Sequence, residues 1–168
     1  MLGSLSLEDL RDNASGKAYP RQALRGHRRA LILFAAGFLG RQDAFWVADA
    51  GMVATCVDVD EGKLRLMETL YPPAWGFVES DAFLFAERER ALARTWDVVS
   101  LDPPTNLFDD CAQELPTWCG LAEHVVIMGV GRTTQWTVPD GWYTADVRER
   151  SMFRGGVYWA VIRKRPPI

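Results

Sequence analysis

A mostly parallel α/β domain of seven strands that ends in an antiparallel hairpin is the fold class the sequence predicts, and three observations predict it. Five short apolar runs alternate with helix-like segments over residues 30–131, three of those runs end on an acid, and after Gly131 two strand-like runs flank the turn Gly155-Gly156. Alternating strands and helices imply parallel pairing with right-handed crossovers, whereas two runs of period two about a glycine turn imply a hairpin.

The chain has 168 residues, which suits one domain with a substantial core, and 48% of them are hydrophobic. We divide it into an N-terminal helix and basic segment over residues 1–29 and an α/β domain over residues 30–168. No apolar run approaches the ~20 residues that a membrane helix needs. The start, Met1-Leu2-Gly3-Ser4, lacks the basic opening and long apolar core of a secretory signal. The expectation is a cytoplasmic protein that does not engage a membrane. Cys56, Cys111 and Cys119 are odd in number and lack C-x-x-C spacing, so neither a metal site nor a disulfide framework is expected, only buried thiols.

The net charge is −3, yet the cations are clustered: Lys17, Arg21, Arg25, Arg28 and Arg29 precede the first apolar run with no acid among them, and Arg163-Lys164-Arg165 nearly closes the chain. Two readings stand for these clusters. One is contact with nucleic-acid phosphates, for which Arg21, Arg25, Arg28 and Arg29 are the candidates; the other is a solvated flank of a neutral core.

Ahead of the basic segment, Ser6 and Asp9 have N-cap to N3 spacing and predict a short helix. Residues 30–35 read as the first strand, Ala36-Gly37-Phe38-Leu39-Gly40 as a small-residue loop, and residues 42–50, with Ala44, Phe45, Val47 and Ala48, as a helix that Gly51 ends. Glycines there either serve a tight turn or let a ligand approach bare backbone. Residues 52–60 read as a second buried strand. Asp58 follows the glycine loop by about 20 residues, the separation that brings a carboxylate to ribose hydroxyls, while Asp60 suits the N-cap of the next helix. That helix carries Leu64, Leu66, Met67 and Leu70 on its apolar side and stops at Tyr71-Pro72-Pro73. Residues 74–81 form the third strand; residues 82–94 form a helix with Phe83, Phe85, Ala86, Leu92 and Ala93 toward the core, Asp81 being placed as its N-cap.

Residues 95–102 carry Val98, Val99 and Leu101, the composition of a strand buried on both faces, and Pro103-Pro104 must end it. Asp102 is thereby held at a strand's C-terminal edge, where open α/β sheets bind ligands. A helix is expected over residues 108–121, interrupted by Pro116, and residues 124–131 form the fifth strand. His124 opens that strand as a structural residue, and His27 is expected at the surface. Trp46, Trp75, Trp96, Trp136 and Trp159 are expected in the core.

Asp102-Pro103-Pro104 resembles the signature that follows the fourth strand of class I S-adenosylmethionine-dependent methyltransferases, closest to those acting on exocyclic amines of nucleobases. Leu33-Phe34-Ala35-Ala36-Gly37 is similar to the Phe-Ala-Gly loop of the DNA enzymes, and Ser80-Asp81-Ala82-Phe83 to the family's adenine contact. The resemblance covers residues 30–165 and implies a Rossmann-like methyltransferase fold with S-adenosylmethionine as cofactor. It assigns Ala36, Gly37, Gly40, Asp58, Asp81, Ala82 and Phe83 to the cofactor. On the acceptor side it assigns Asp102, Pro103 and Pro104, the Asp102 carboxylate and the Pro103 carbonyl accepting the hydrogens of an amine. Phe34 stands where the family has an acid, and Thr105 replaces its stacking ring, for which Phe108 or Trp118 are candidate substitutes. With no stretch left for a target-recognition domain, three readings stand for the acceptor: a loosely recognised DNA or RNA, a small molecule, or specificity supplied by a partner protein. The alternative is a methyltransferase-fold protein without catalysis, serving a structural or interaction role; a nicotinamide-binding protein is a third reading, disfavoured by the hairpin.

Overall fold

Strand β1 (Arg29–Leu33) is buried from its second residue onward because it lies in the middle of a sheet with helices on both faces. The structure, a computed structural model, describes residues 26–37, 43–130, 137–150 and 157–168. The predicted N-terminal helix, Arg21, Arg25, Gly40 and Trp136 lie outside the described residues.

The described elements follow the predicted order. After β1 come α1 (Asp43–Asp49), β2 (Val53–Asp58), α2 (Glu61–Leu70), β3 (Gly76–Glu79), α3 (Ala82–Ala91) and β4 (Trp96–Leu101). A 3₁₀ turn at Thr105–Leu107 leads into α4 (Phe108–Gln113) and α5 (Leu115–Cys119), and β5 (Ala122–Val130), β6 (Trp142–Arg150) and β7 (Val157–Lys164) complete the sheet. Its order is β3-β2-β1-β4-β5-β7-β6. The first five strands are parallel; β7 runs antiparallel between β5 and β6. The hairpin is thus present, and its second strand is the inner one.

Two apolar layers sandwich the sheet, as alternate side chains of a buried strand require. Ala30, Ile32, Val98 and Val126 face one layer with Ala44, Val47, Leu64 and Met67; Leu31, Leu33, Val99 and Leu101 face the other with Phe85, Phe108 and Trp118. The three cysteines are buried and free. No described helix is long and apolar enough to cross a membrane.

Several local expectations are corrected. Helix α3 stops at Ala91, since Ala93 takes a left-handed φ of 51°, so Leu92 and Ala93 are exposed rather than turned inward. Leu66 is likewise exposed, because α2 buries only Leu64 and Met67. The predicted helix over residues 108–121 is two helices joined at Glu114, and Pro116 sits in the first turn of the second, where its missing N–H costs nothing. His27 is half-buried with its ring 4.4 Å from that of His124. Trp118 and Phe108 are core residues, Trp118 Nε1 donating to the Cys111 carbonyl at 2.9 Å, so neither ring is presented for stacking.

Candidate functional site

Between β1 and β4 the strand order reverses, β1 leading outward to β2 and β4 to β5. Loops leaving adjacent strands on opposite faces open a crevice at their C-terminal ends, the place where such sheets hold ligands. Phe34 to Gly37 leave β1 there and Asp102 leaves β4, the last residues of the two strands being paired as Leu33 with Leu101. Asp58 and Asp81 end or follow β2 and β3 at the same edge. The topology therefore brings the three predicted acids to one rim.

Asp58 is half-buried, and its carboxylate ties the rim together. Oδ2 accepts from the Ala36 amide and Oδ1 from the Asp60 amide, both at 2.9 Å. Each oxygen keeps a lone pair, so a hydroxyl donor can still be accepted. Val59, the next residue, is 67% exposed although apolar. This shelf escaped the sequence reading, whose only available signal was its place between two acids. Asp60 caps α2 through Lys63 N at 3.0 Å, and its carboxyl is held below the usual range, first by that backbone bond.

Asp81 caps α3, Oδ1 accepting from Phe83 N at 2.9 Å and Leu84 N at 3.0 Å, so the predicted cap role is filled. Ala82 is buried and Phe83 half-buried. The Phe83 ring lies 6.1 Å from Phe34 and 5.4 Å from Trp118, an aromatic row that joins the β1 loop to the β3 loop. Phe34 itself has φ 59°, a left-handed conformation for a bulky residue. At Gly37 no atom lies within 4 Å of where a Cβ would stand, so backbone is open to a ligand.

Asp102 is half-buried, Pro103 buried and Pro104 exposed. The Pro104 carbonyl is engaged by the Leu107 amide at 2.9 Å, which turns the chain directly into the 3₁₀ segment. Behind the rim lies a pair that the sequence did not reveal. Asp43, first residue of α1 and 2% exposed, accepts from Ser100 Oγ at 2.7 Å. Burial, then the nearby Asp43 carboxylate, pushes the Cys56 thiol far above its ordinary value. Burial likewise pushes Cys111 and Cys119 up to about 12, so these sulfurs are inert thiols. No group of metal-ligating residues occurs among the described residues.

No family model and no curated protein matches the chain. Solved structures do match it. TrmK of M. capricolum, determined with S-adenosylhomocysteine, superposes with a TM-score of 0.66 at 10% identity over 90% of this chain and 68% of its own. A SAM-dependent methyltransferase from Agrobacterium tumefaciens gives 0.63 at 15% over 89% and 60%, and the yhhF protein of Escherichia coli gives 0.64 at 17% over 99% and 90%. The chain has the methyltransferase fold. It spans 60% of the Agrobacterium protein and 48% of SMU.776, another structure solved with S-adenosylhomocysteine, so those chains carry segments without a counterpart here. Within the methyltransferase fold, the rim described above is the edge where β1 and β4 diverge, and all three acids named from the sequence lie along it.

Proposed function

We propose that the chain is an S-adenosylmethionine-dependent methyltransferase acting on an amine, with a nucleobase amine as the acceptor class that Asp102-Pro103-Pro104 favours. The observation that carries this reading is the exposed apolar side chain of Val59, next in sequence to Asp58, at the C-terminal rim of a methyltransferase fold. An apolar shelf and a carboxylate on consecutive residues suit a nucleoside, base against the shelf and ribose hydroxyls on the acid. Open backbone at Gly37 fits the cofactor's remaining half, and Asp81 with Ala82 and Phe83 would border its base.

The bound cofactor would supply an electrophilic methyl group. The chain's own work would be positioning, which accounts for several kcal/mol in well-oriented reactions, up to about 11 at most. Asp102 and the Pro103 carbonyl would accept the two hydrogens of an amine at a point fixed by two consecutive prolines, favouring a pyramidal nitrogen. Catalysis then asks little of the residues around them. The likeness to TrmK and to methyltransferases supports this reading.

Isothermal titration tests it. Wild type should bind S-adenosylhomocysteine with micromolar Kd, and Val59→Glu, which alters an exposed side chain, should weaken binding at least about tenfold, equivalent to 1.4 kcal/mol, without lowering Tm. No binding by wild type at millimolar ligand would discard the proposal in favour of a fold kept for interaction.

A further inference from the structure

The described end of the N-terminal basic segment and the C-terminal basic segment lie at the edge of the sheet opposite the candidate site. Arg28 and Arg29 lead into β1, while β7, being antiparallel, delivers Arg163, Lys164 and Arg165 to the same N-terminal edge. Arg28, Arg29, Lys164 and Arg165 are exposed, in a chain whose net charge is −3. Acids at this edge include Asp97 in β4 and Glu123 in β5. Asp97 spends Oδ2 on the Arg28 and Arg29 amides, at 2.6 and 2.9 Å, which locks the backbone that carries those two guanidinium groups.

Register adds an aromatic to this charge. Tyr143 pairs with Arg163, Arg163 with His124, and His124 with Val98, so Tyr143, Arg163 and His124 form one row across adjacent strands, with His27 against His124 at 4.4 Å. Tyr143, on the edge strand β6, is 37% exposed. Cations that follow a backbone, with an aromatic face open between them, are the elements by which single strands are held without base readout.

We propose that this edge binds single-stranded nucleic acid, Arg28, Arg29, Lys164 and Arg165 meeting phosphates while Tyr143 stacks on an unpaired base. The surface is separate from the rim at Asp102, about 20 Å away by the rise of β4. A strand anchored here would extend past the fold rather than rely on the rim for its affinity. The inference does not depend on the cofactor reading, because its test contains no cofactor.

The test is fluorescence anisotropy with a labelled oligothymidine of about 20 nucleotides, longer than the ~4–16 that one such surface covers. Wild type should bind at low salt, more tightly than it binds the same strand annealed to its complement, with affinity falling as salt rises by a slope of roughly 0.7 per phosphate contacted. Arg28→Glu and Lys164→Glu should each weaken binding about fivefold or more and flatten that slope. Tyr143→Ala should weaken it about fivefold or more with the slope unchanged. Arg65→Glu, a cation on the solvent face of α2, should leave it within about twofold. Absence of binding by wild type, an equal loss in Arg65→Glu, or equal affinity for duplex combined with an unaffected Tyr143→Ala would each overturn the proposal.

Discussion

Single residues at the rim have a structural job beside the proposed one. Asp58, the ribose acceptor of the proposed function, already accepts from the amides of Ala36 after β1 and Asp60 after β2, so the same carboxylate shapes the loop it would serve. Phe34 sits in a left-handed conformation that costs roughly 1–2 kcal/mol for an L-residue, and its ring packs edge-on against Phe83. The Asp43 carboxylate is expensive to bury, and Ser100 Oγ is one of the partners that make burial tolerable. Ser100→Ala removes that donor. Thermal or urea unfolding should show a loss of about 2–3 kcal/mol, the cost of weakening a buried charged acceptor's hydrogen bonds. Asp58 was legible in the sequence because its spacing from Gly37 follows from the length of a strand and a helix. Asp43 was not, because its partner is 57 residues away.

At the scale of elements, a helix start at the rim holds a cap and, in the proposed function, a cofactor contact. Asp81 shows how the two can be separated. Its Oδ1 satisfies two orphan amides of α3, so Asp81→Ala should cost about 1 kcal/mol of stability. Asp81→Ser keeps a capping oxygen and should restore Tm. If Asp81 also meets the base of the cofactor, the serine variant should still bind S-adenosylhomocysteine more weakly than wild type, which titration of the three proteins would read directly. Helix existence and order were readable from apolar spacing, whereas the ends were set by events that spacing does not encode: the left-handed turn at Ala93, and a proline at Pro116 that begins α5 instead of breaking a longer helix.

For the whole molecule, acid stability reflects the edge away from the rim. Burial, then His27 and Arg163, push His124 down from 6.5 to about 4, while Asp97 acts the other way. The unfolded chain therefore takes up a proton near pH 6.5 that the folded chain refuses until about pH 4. The associated stability is fully present above pH 6.5, falls as pH drops through that window and is gone below it. Discounted for solvent screening at a half-buried ring, the loss should be about 1–2 kcal/mol, and His124→Gln should flatten urea-unfolding midpoints across that window.

The sequence by itself determined the succession of strands and helices, the parallel sheet with its terminal hairpin, and the delivery of Asp58, Asp81 and Asp102 to strand ends. These are consequences of local periodicity, proline and glycine, which act within a few residues. Only the tertiary structure decided that β7 lies between β5 and β6, that Val59 after Asp58 is left exposed, that Asp43 meets Ser100, and that Arg28 and Arg29 share one edge with Lys164, Arg165 and Tyr143. Each of those depends on which remote strand lies alongside which, and pairing between distant segments is settled by burying the whole sheet rather than by any stretch of it.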